Sequence, residues 1–331
     1  MAIDLKTPIG AAYRRLTGKP LSLYAAAVLR IGYGLLYFVM LAREFPNRHE
    51  IWGPQSPWTP ELARQMSGES GWFTFLTLSD SRAYFEVCYA LALVVAVLFL
   101  LGWRTRAVSI LFALVVVAFY GRNVLITDGG DNLALLMAIY LCFTACGRRW
   151  SLDARRARRR AAPAGEGLRP FTVTVVHNGA MLVIMAQMCI LYGAAGLYKV
   201  QGGLWENGTA LHYVLHSDLF RPWPALSDFM DGHHVLIAIA GYVTVLVQVA
   251  FPFSLFSKLK YVLLVILIGM HAGIAVLVGL PMFSAVMILG DAVFLPDRFF
   301  RFLAREARAR RARRRAPKAR AINEARAVPV R

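Results

Sequence analysis

Apolar runs of about 20 residues, nearly free of charge, recur along this chain, and no other feature restricts its fold so sharply. A run of that length crosses a bilayer core of roughly 30 Å as a helix. Inside lipid no water can satisfy the backbone, so each run must close its hydrogen bonds within itself. With 58% of its 331 residues hydrophobic, the chain reads as an all-α, polytopic integral membrane bundle. About eight transmembrane helices are expected, over residues 21–41, 83–101, 107–120, 131–146, 174–199, 235–256, 261–280 and 282–295. The third, fourth and eighth of these are short for a full crossing.

The formal net charge of +18 would suggest nucleic acid on a soluble protein. Here the basic residues fall between apolar runs, where they mark topology instead, so no nucleic-acid partner is expected. Residues 1–20, the Arg104/Arg106 turn, the run 148–160, the Lys258/Lys260 turn and the tail are all basic. The alternate connections carry less basic excess, which puts both termini in the cytoplasm and residue Lys199 on the outer side. The chain then divides into a cytoplasmic segment 1–20, a transmembrane domain 21–297 and a basic Arg/Ala-rich tail 298–331. Within the domain, 148–173 is a basic cytoplasmic loop, read as solvated and mobile, and 200–234 is an outer loop. Residues 1–20 lack an apolar core ahead of a small-residue cleavage site, so no removable signal peptide is expected. The tail is suited to anionic lipid headgroups.

Lys199 closes the fifth span, between Tyr198 and Val200, and Gly202, Gly203 and Trp205 follow it. An amine there is either a side chain reaching to the interface or a buried base facing a cavity. The same topology gathers Asp131, Asn132, His212, His216, His233 and His234 at the outer mouth. His212 and His216 share a helix face, but no Glu follows His212 as a zinc protease motif requires, and no metal is expected. Arg30, inside the first span, is expected to pair within the bundle. Cys88, Cys142, Cys146 and Cys189 all lie in apolar runs and read as small packing residues, with Cys142 and Cys146 on one helix face.

Residues 194–211, AAGLYKVQGGLWENGTAL, resemble the lysine-bearing segment of the vitamin K-dependent gamma-carboxylases. The run Trp150, Ser151, Leu152, Asp153 is similar to that family's Trp-Ser-x-Asp stretch. His271, followed by Gly279 and by Pro281, Met282, Phe283 and Ser284, is similar to its late histidine and Met-Phe-Ser stretch. The order of these matches resembles the bacterial branch of horizontally transferred transmembrane (HTTM) domain proteins, which includes membrane proteins for maturation of peptide toxins. The resemblance implies a multi-pass bacterial plasma-membrane protein using a reduced lipid quinone of the vitamin K or menaquinone type. It implies Lys199 as base, assisted by His271, Asp131 and Asn132, with Trp205, Tyr198 and Phe283 against the quinone. A lysine acts as a base only where desolvation or a neighbouring cation favours its neutral form. Two departures stand out. Residues 129–133 read Gly, Gly, Asp, Asn, Leu, without the histidine the carboxylases place there. After the eighth span the sequence continues as the basic tail, where carboxylases carry a large domain that binds their protein substrates. Carboxylation of a tethered protein is therefore less favoured than a lipid-quinone site.

Two function classes remain from sequence. One is a quinone-linked enzyme with an outward-facing site. The other is a non-catalytic membrane partner that helps mature, export or give immunity to a peptide. A transporter is less favoured, because the broken-helix pairs of inverted repeats are not evident. The electrostatic state of Lys199 separates the first two: a base needs a depressed pKa, whereas a structural cation needs a carboxylate partner.

Overall fold

A computed structural model describes residues 7–160 and 168–310. Every regular element among the described residues is helical. In chain order they are α1 (Pro8–Gly18), α2 (Leu23–Glu44), α3 (Arg48–Ile51), α4 (Pro60–Ser70), α5 (Arg82–Leu101), α6 (Thr105–Arg122), α7 (Gly129–Cys142) and α8 (Leu152–Arg160). Then follow α9 (Leu168–Val200), α10 (Gly203–Glu206), α11 (Ala210–His216), α12 (Pro224–Asp231), α13 (His234–Phe253), α14 (Leu259–Gly273) and α15 (Pro281–Asp291). Residues 297–310 are also helical.

Among the described residues, six stretches are long and apolar enough to cross a membrane: Leu23–Ile51, Arg82–Leu101, Thr105–Arg122, Pro170–Val200, His234–Phe253 and Leu259–Val278. The fourth and eighth expected spans are shorter apolar helices, Gly129–Cys142 and Pro281–Phe294. Large apolar side chains stand exposed along the long helices, among them Val87, Leu91 and Val94 on α5, and Leu246 on α13. In water such a belt would aggregate; against lipid it satisfies the outer face of the bundle.

The ends of the helices explain their lengths. α7 starts on a capping box: the Asp128 carboxylate accepts from the Gly130 and Asp131 amides, and Asp131 accepts from the Asp128 amide at 2.9 Å. It stops at Cys142, earlier than expected, and Thr144 Oγ1 folds back on the Leu141 carbonyl at 2.9 Å. Cys142 and Cys146 consequently do not share a helix, and all four cysteines are free thiols. α5 ends at Gly102, whose φ of +68° is a left-handed cap that glycine adopts without Cβ strain.

At one end of the bundle the buried Arg30 guanidinium donates to four backbone carbonyls. These are Phe99 (2.8 Å), Leu100 (2.6 Å), Cys146 (3.3 Å) and Trp150 (2.6 Å). Arg30 is thus satisfied by carbonyls, two of them in the last turn of α5, where the helix leaves carbonyls unpaired. Asp153 accepts from the Arg104 amide at 3.0 Å and the Thr105 amide at 2.7 Å, opening α6. The basic run expected to be a mobile loop is helix α8 over Leu152–Arg160, pinned by that aspartate; residues 161–167 of the loop lie outside the described residues. The start of α2 and the residue that opens the last helix meet here, since the Tyr24 amide donates to Asp297 Oδ1 at 3.2 Å.

At the opposite end the buried Arg122 donates to the Trp58 and Gly53 carbonyls at 2.9 and 2.8 Å, fixing the loop around α3 and α4. α13 lies along α9. A Cβ on Gly196 of α9 would sit 2.9 Å from the Val249 amide nitrogen, so glycine there permits the close approach of the two backbones.

Candidate functional site

Helices α9, α13, α14 and α15 leave a cavity of about 670 Å³, roofed by α11 and α12. Its walls are apolar (Leu191, Ile237, Val243, Ile266, Leu277), with a few polar groups set among them. Small-molecule sites of this size and character are mostly apolar with a small number of placed polar atoms.

Lys199, in the last turn of α9, lines this cavity. Its Nζ donates to the Ala195 carbonyl one turn back at 3.3 Å and lies 5.3 Å from the Trp205 ring centroid. Among the described residues it makes no ion pair. The amine therefore has a cation–π contact and a helix carbonyl, but no carboxylate to hold it as a structural cation.

His271 enters the same cavity from α14, one helical turn before the chain widens into a single π turn over Ile274–Val278. Such turns are frequent where a helix serves a function rather than a packing rule. Behind His271, the Tyr192 hydroxyl lies 3.3 Å from His271 Nε2 and donates to Asp291 Oδ2 at 3.0 Å. The hydroxyl has one proton; once given to Asp291, it accepts from His271 Nε2, which leaves Nδ1 with the lone pair. His271 Nδ1, Asp291 Oδ1, Gln248 Oε1 and Ser284 Oγ are all buried without a hydrogen-bond partner. Buried polar atoms are nearly always paired, and two of these four residues, His271 and Gln248, line the cavity.

A second, smaller cavity of about 220 Å³ lies alongside, lined by Tyr37, Glu44, Trp52 and Asp131 among others. Leu280 and Phe283 line both cavities and separate them. The Phe283 ring centroid stands 5.8 Å from that of His271.

The HTTM domain family model matches residues 19–298. The chain belongs to the HTTM domain family. Two relatives of this HTTM domain protein come from Bacillus subtilis (strain 168). The uncharacterized protein YitO is 26% identical over 211 residues, covering 61% of this chain and 62% of the relative. The sporulation-delaying protein SdpB is 26% identical over 136 residues, covering 41% of this chain and 40% of the relative. The chain thus spans less than two thirds of either curated relative. No solved structure matches it.

Within this HTTM domain the structure sorts the residues singled out from sequence. Lys199, His271, Trp205 and Phe283 come together around the larger cavity. Asp131 faces the smaller one and caps α7. The Asn132 amide oxygen accepts from the Tyr120 hydroxyl at 3.2 Å, and Asn132 lines neither cavity. Tyr198 is 81% exposed on the outer surface of α9 and also lines neither. Sequence reading passed over Tyr192, Gln248 and Asp291. For Asp291 a signal existed: an acid inside an apolar run is costly unless it is used. Tyr192 and Gln248 carried none, since a tyrosine or an amide in a helix looks the same whether it packs or serves.

Proposed function

We propose that this HTTM domain protein is a quinone-linked membrane enzyme in which Lys199 acts as the base. The observation that carries the reading is the Lys199 amine, unpaired by any carboxylate among the described residues, in an apolar cavity it shares with His271. The cavity fits a prenylated ring: its apolar walls suit the tail, and the orphaned His271 Nδ1 and Gln248 Oε1 suit a ring hydroxyl. A reduced quinone of the vitamin K or menaquinone type would supply two electrons and an acidic hydroxyl. Lys199 Nζ, as neutral amine, accepts that hydroxyl proton. His271, oriented through Tyr192 and Asp291, holds the opposite side of the ring. Trp205 and the α11–α12 roof exclude water from the amine. Asp131, beyond Phe283, is placed to receive an acceptor in the smaller cavity rather than to assist Lys199 directly. We further propose eight crossings with both termini cytoplasmic, which sets the Lys199 mouth on the outer face of a bacterial plasma membrane.

The test uses purified protein in lipid nanodiscs, wild type beside Lys199→Ala, supplied with reduced menaquinone or vitamin K hydroquinone under oxygen. Lysine-dependent formation of quinone or epoxide is expected, falling by about 10²–10⁴-fold in the variant as for loss of a positioned base. Equal conversion by both proteins, or by neither, would overturn it.

The similarity to a protein named sporulation-delaying favours a second reading. In it the chain is a non-catalytic partner in maturation, export or immunity of a peptide, and Lys199→Ala would alter only stability.

A further inference from the structure

The roof of the larger cavity is built from two short helices whose other faces meet in a group of three side chains. His212 and His216 stand one turn apart on α11, and Asp231 is the last residue of α12. One ligand atom from each residue lies within 4.8 Å of the other two. His212 Nδ1 is 2.6 Å from Asp231 Oδ1, His216 Nε2 is 3.8 Å from Asp231 Oδ2, and the two imidazole centroids are 4.4 Å apart.

The second ring decides the matter. His216 Nδ1 donates to the His212 carbonyl at 3.0 Å. That bond fixes the tautomer, so in the neutral ring Nε2 carries a lone pair. This lone pair faces a carboxylate oxygen of Asp231 at 3.8 Å, so two electron-rich atoms are opposed. Metal-bound imidazoles are held in this way, with the far nitrogen donating to a backbone carbonyl and the near one free to ligate. The aspartate is largely covered and the imidazoles are half exposed, so an ion from solvent can reach the group.

We propose that His212, His216 and Asp231 bind one divalent transition-metal ion of the zinc class, which clasps α11 to α12. Two imidazole nitrogens and one carboxylate suit zinc, whereas calcium and magnesium select all-oxygen sets. Ligand bonds of about 2.0–2.2 Å in a tetrahedron place ligand atoms roughly 3.3 Å apart. The present contacts of 2.6 and 3.8 Å bracket that spacing, so small side-chain rotations suffice. Water takes the fourth position.

The consequence for the cavity follows from which residues alternate with the ligands. Leu211, Val214 and Leu215 of α11 and Met230 of α12 line the cavity. Each ligand thus has a roof residue as its chain neighbour. Metal at His212, His216 and Asp231 therefore fixes the spacing of the apolar roof, whatever the cavity accepts. The inference does not depend on quinone chemistry.

The experiment uses the full chain in nanodiscs, purified without a histidine tag and stripped with a chelator. Zinc is titrated against a chromogenic chelator, and cobalt(II) is titrated with its visible absorption recorded. One equivalent per chain and a four-coordinate cobalt spectrum are expected. His216→Ala and Asp231→Asn should each weaken zinc binding by at least about 10–100-fold, the loss that even an outer partner of a metal ligand causes. His233→Ala should bind as wild type, because His233 is not among the residues whose ligand atoms converge, which are His212, His216 and Asp231. Zinc should also slow amide exchange in α11 and α12. A six-coordinate cobalt spectrum in the wild type, or zinc affinity unchanged in both ligand variants, would overturn the proposal. The wild-type spectrum decides it even where a variant fails to fold.

Discussion

Two cationic side chains in this bundle, Arg30 fully buried and Lys199 half-buried, are handled in opposite ways. Arg30 has every part of its guanidinium aimed at a carbonyl, across four contacts from 2.6 to 3.3 Å. Lys199 has one carbonyl on its own helix, an aromatic face and a cavity. Around Arg30 the helix ends and the Trp150 turn are drawn together. In the cavity that Lys199 lines, His271 Nδ1 and Gln248 Oε1 are buried without a partner. A satisfied buried charge specifies a fold; a half-buried amine kept beside an apolar cavity without a carboxylate is a cost that packing alone does not explain.

The sharpest way to break this contrast is to remove Arg30. In Arg30→Met the Leu100, Cys146 and Trp150 carbonyls lose the guanidinium donor, while Phe99 keeps the Gly102 amide. At about 1–3 kcal/mol for each group left unsatisfied, several kcal/mol of stability should go. Thermal unfolding in nanodiscs should show a large drop or no folded protein at all. Lys199→Ala should unfold within about 1 kcal/mol of wild type, because it breaks no tertiary hydrogen bond. Similar losses in both variants would erase the distinction.

This pair also shows what could be read from sequence and what could not. The apolar runs fixed the helix class and placed most spans within a few residues, because lipid permits few alternatives. Two of the eight are shorter than a full crossing, and the ends of the fourth are set by local chemistry: the Asp128 box and the turn after Cys142. Arg30 in an apolar run announced a buried partner, but the partner proved to be backbone, which no residue pattern encodes. Lys199, Trp205, His271 and Phe283 were legible through short motifs and do share a cavity. Tyr198 was named with them for its place beside Lys199. A helix turns about 100° per residue, and its ring consequently faces outward. Asp231 was invisible as a partner of His212, since it lies 19 positions further along the chain and on a second helix.

A smaller effect tests whether the cluster behind His271 belongs to the site or to the scaffold. Tyr192→Phe keeps the ring in its place against Phe251, at a 5.5 Å centroid distance, and deletes only the hydroxyl between His271 and Asp291. The expected cost is about 1–3 kcal/mol for the partner left unpaired, well below that of Arg30→Met. Quinol turnover should fall while Lys199 remains in place, because His271 loses the contact that orients it. A stability loss as large as that of Arg30→Met would make the cluster a second structural staple. Unchanged turnover would separate it from Lys199.

The smallest effect comes from a charge that water reaches. Outside the spans, Arg64 on α4 grips Asp80 in a two-pronged contact, at 2.9 and 3.3 Å. The Arg64 hydrogen bonds hold the Asp80 carboxyl below its ordinary value of 3.8. A depressed carboxylate stabilises the fold above its unfolded pKa and loses that contribution as pH falls through the folded one. The difference in thermal midpoint between wild type and Asp80→Asn should therefore be small at neutral pH, begin to shrink below about pH 4, and vanish once the pH is below the lowered folded value. It should also shrink at high salt, as exposed pairs do. The deficit of Arg30→Met should persist under both treatments, since neither ions nor protons reach a guanidinium enclosed by carbonyls. If acid or salt narrowed that deficit as well, Arg30 would be solvated, and the contrast with Lys199 would reduce to a difference in side-chain length.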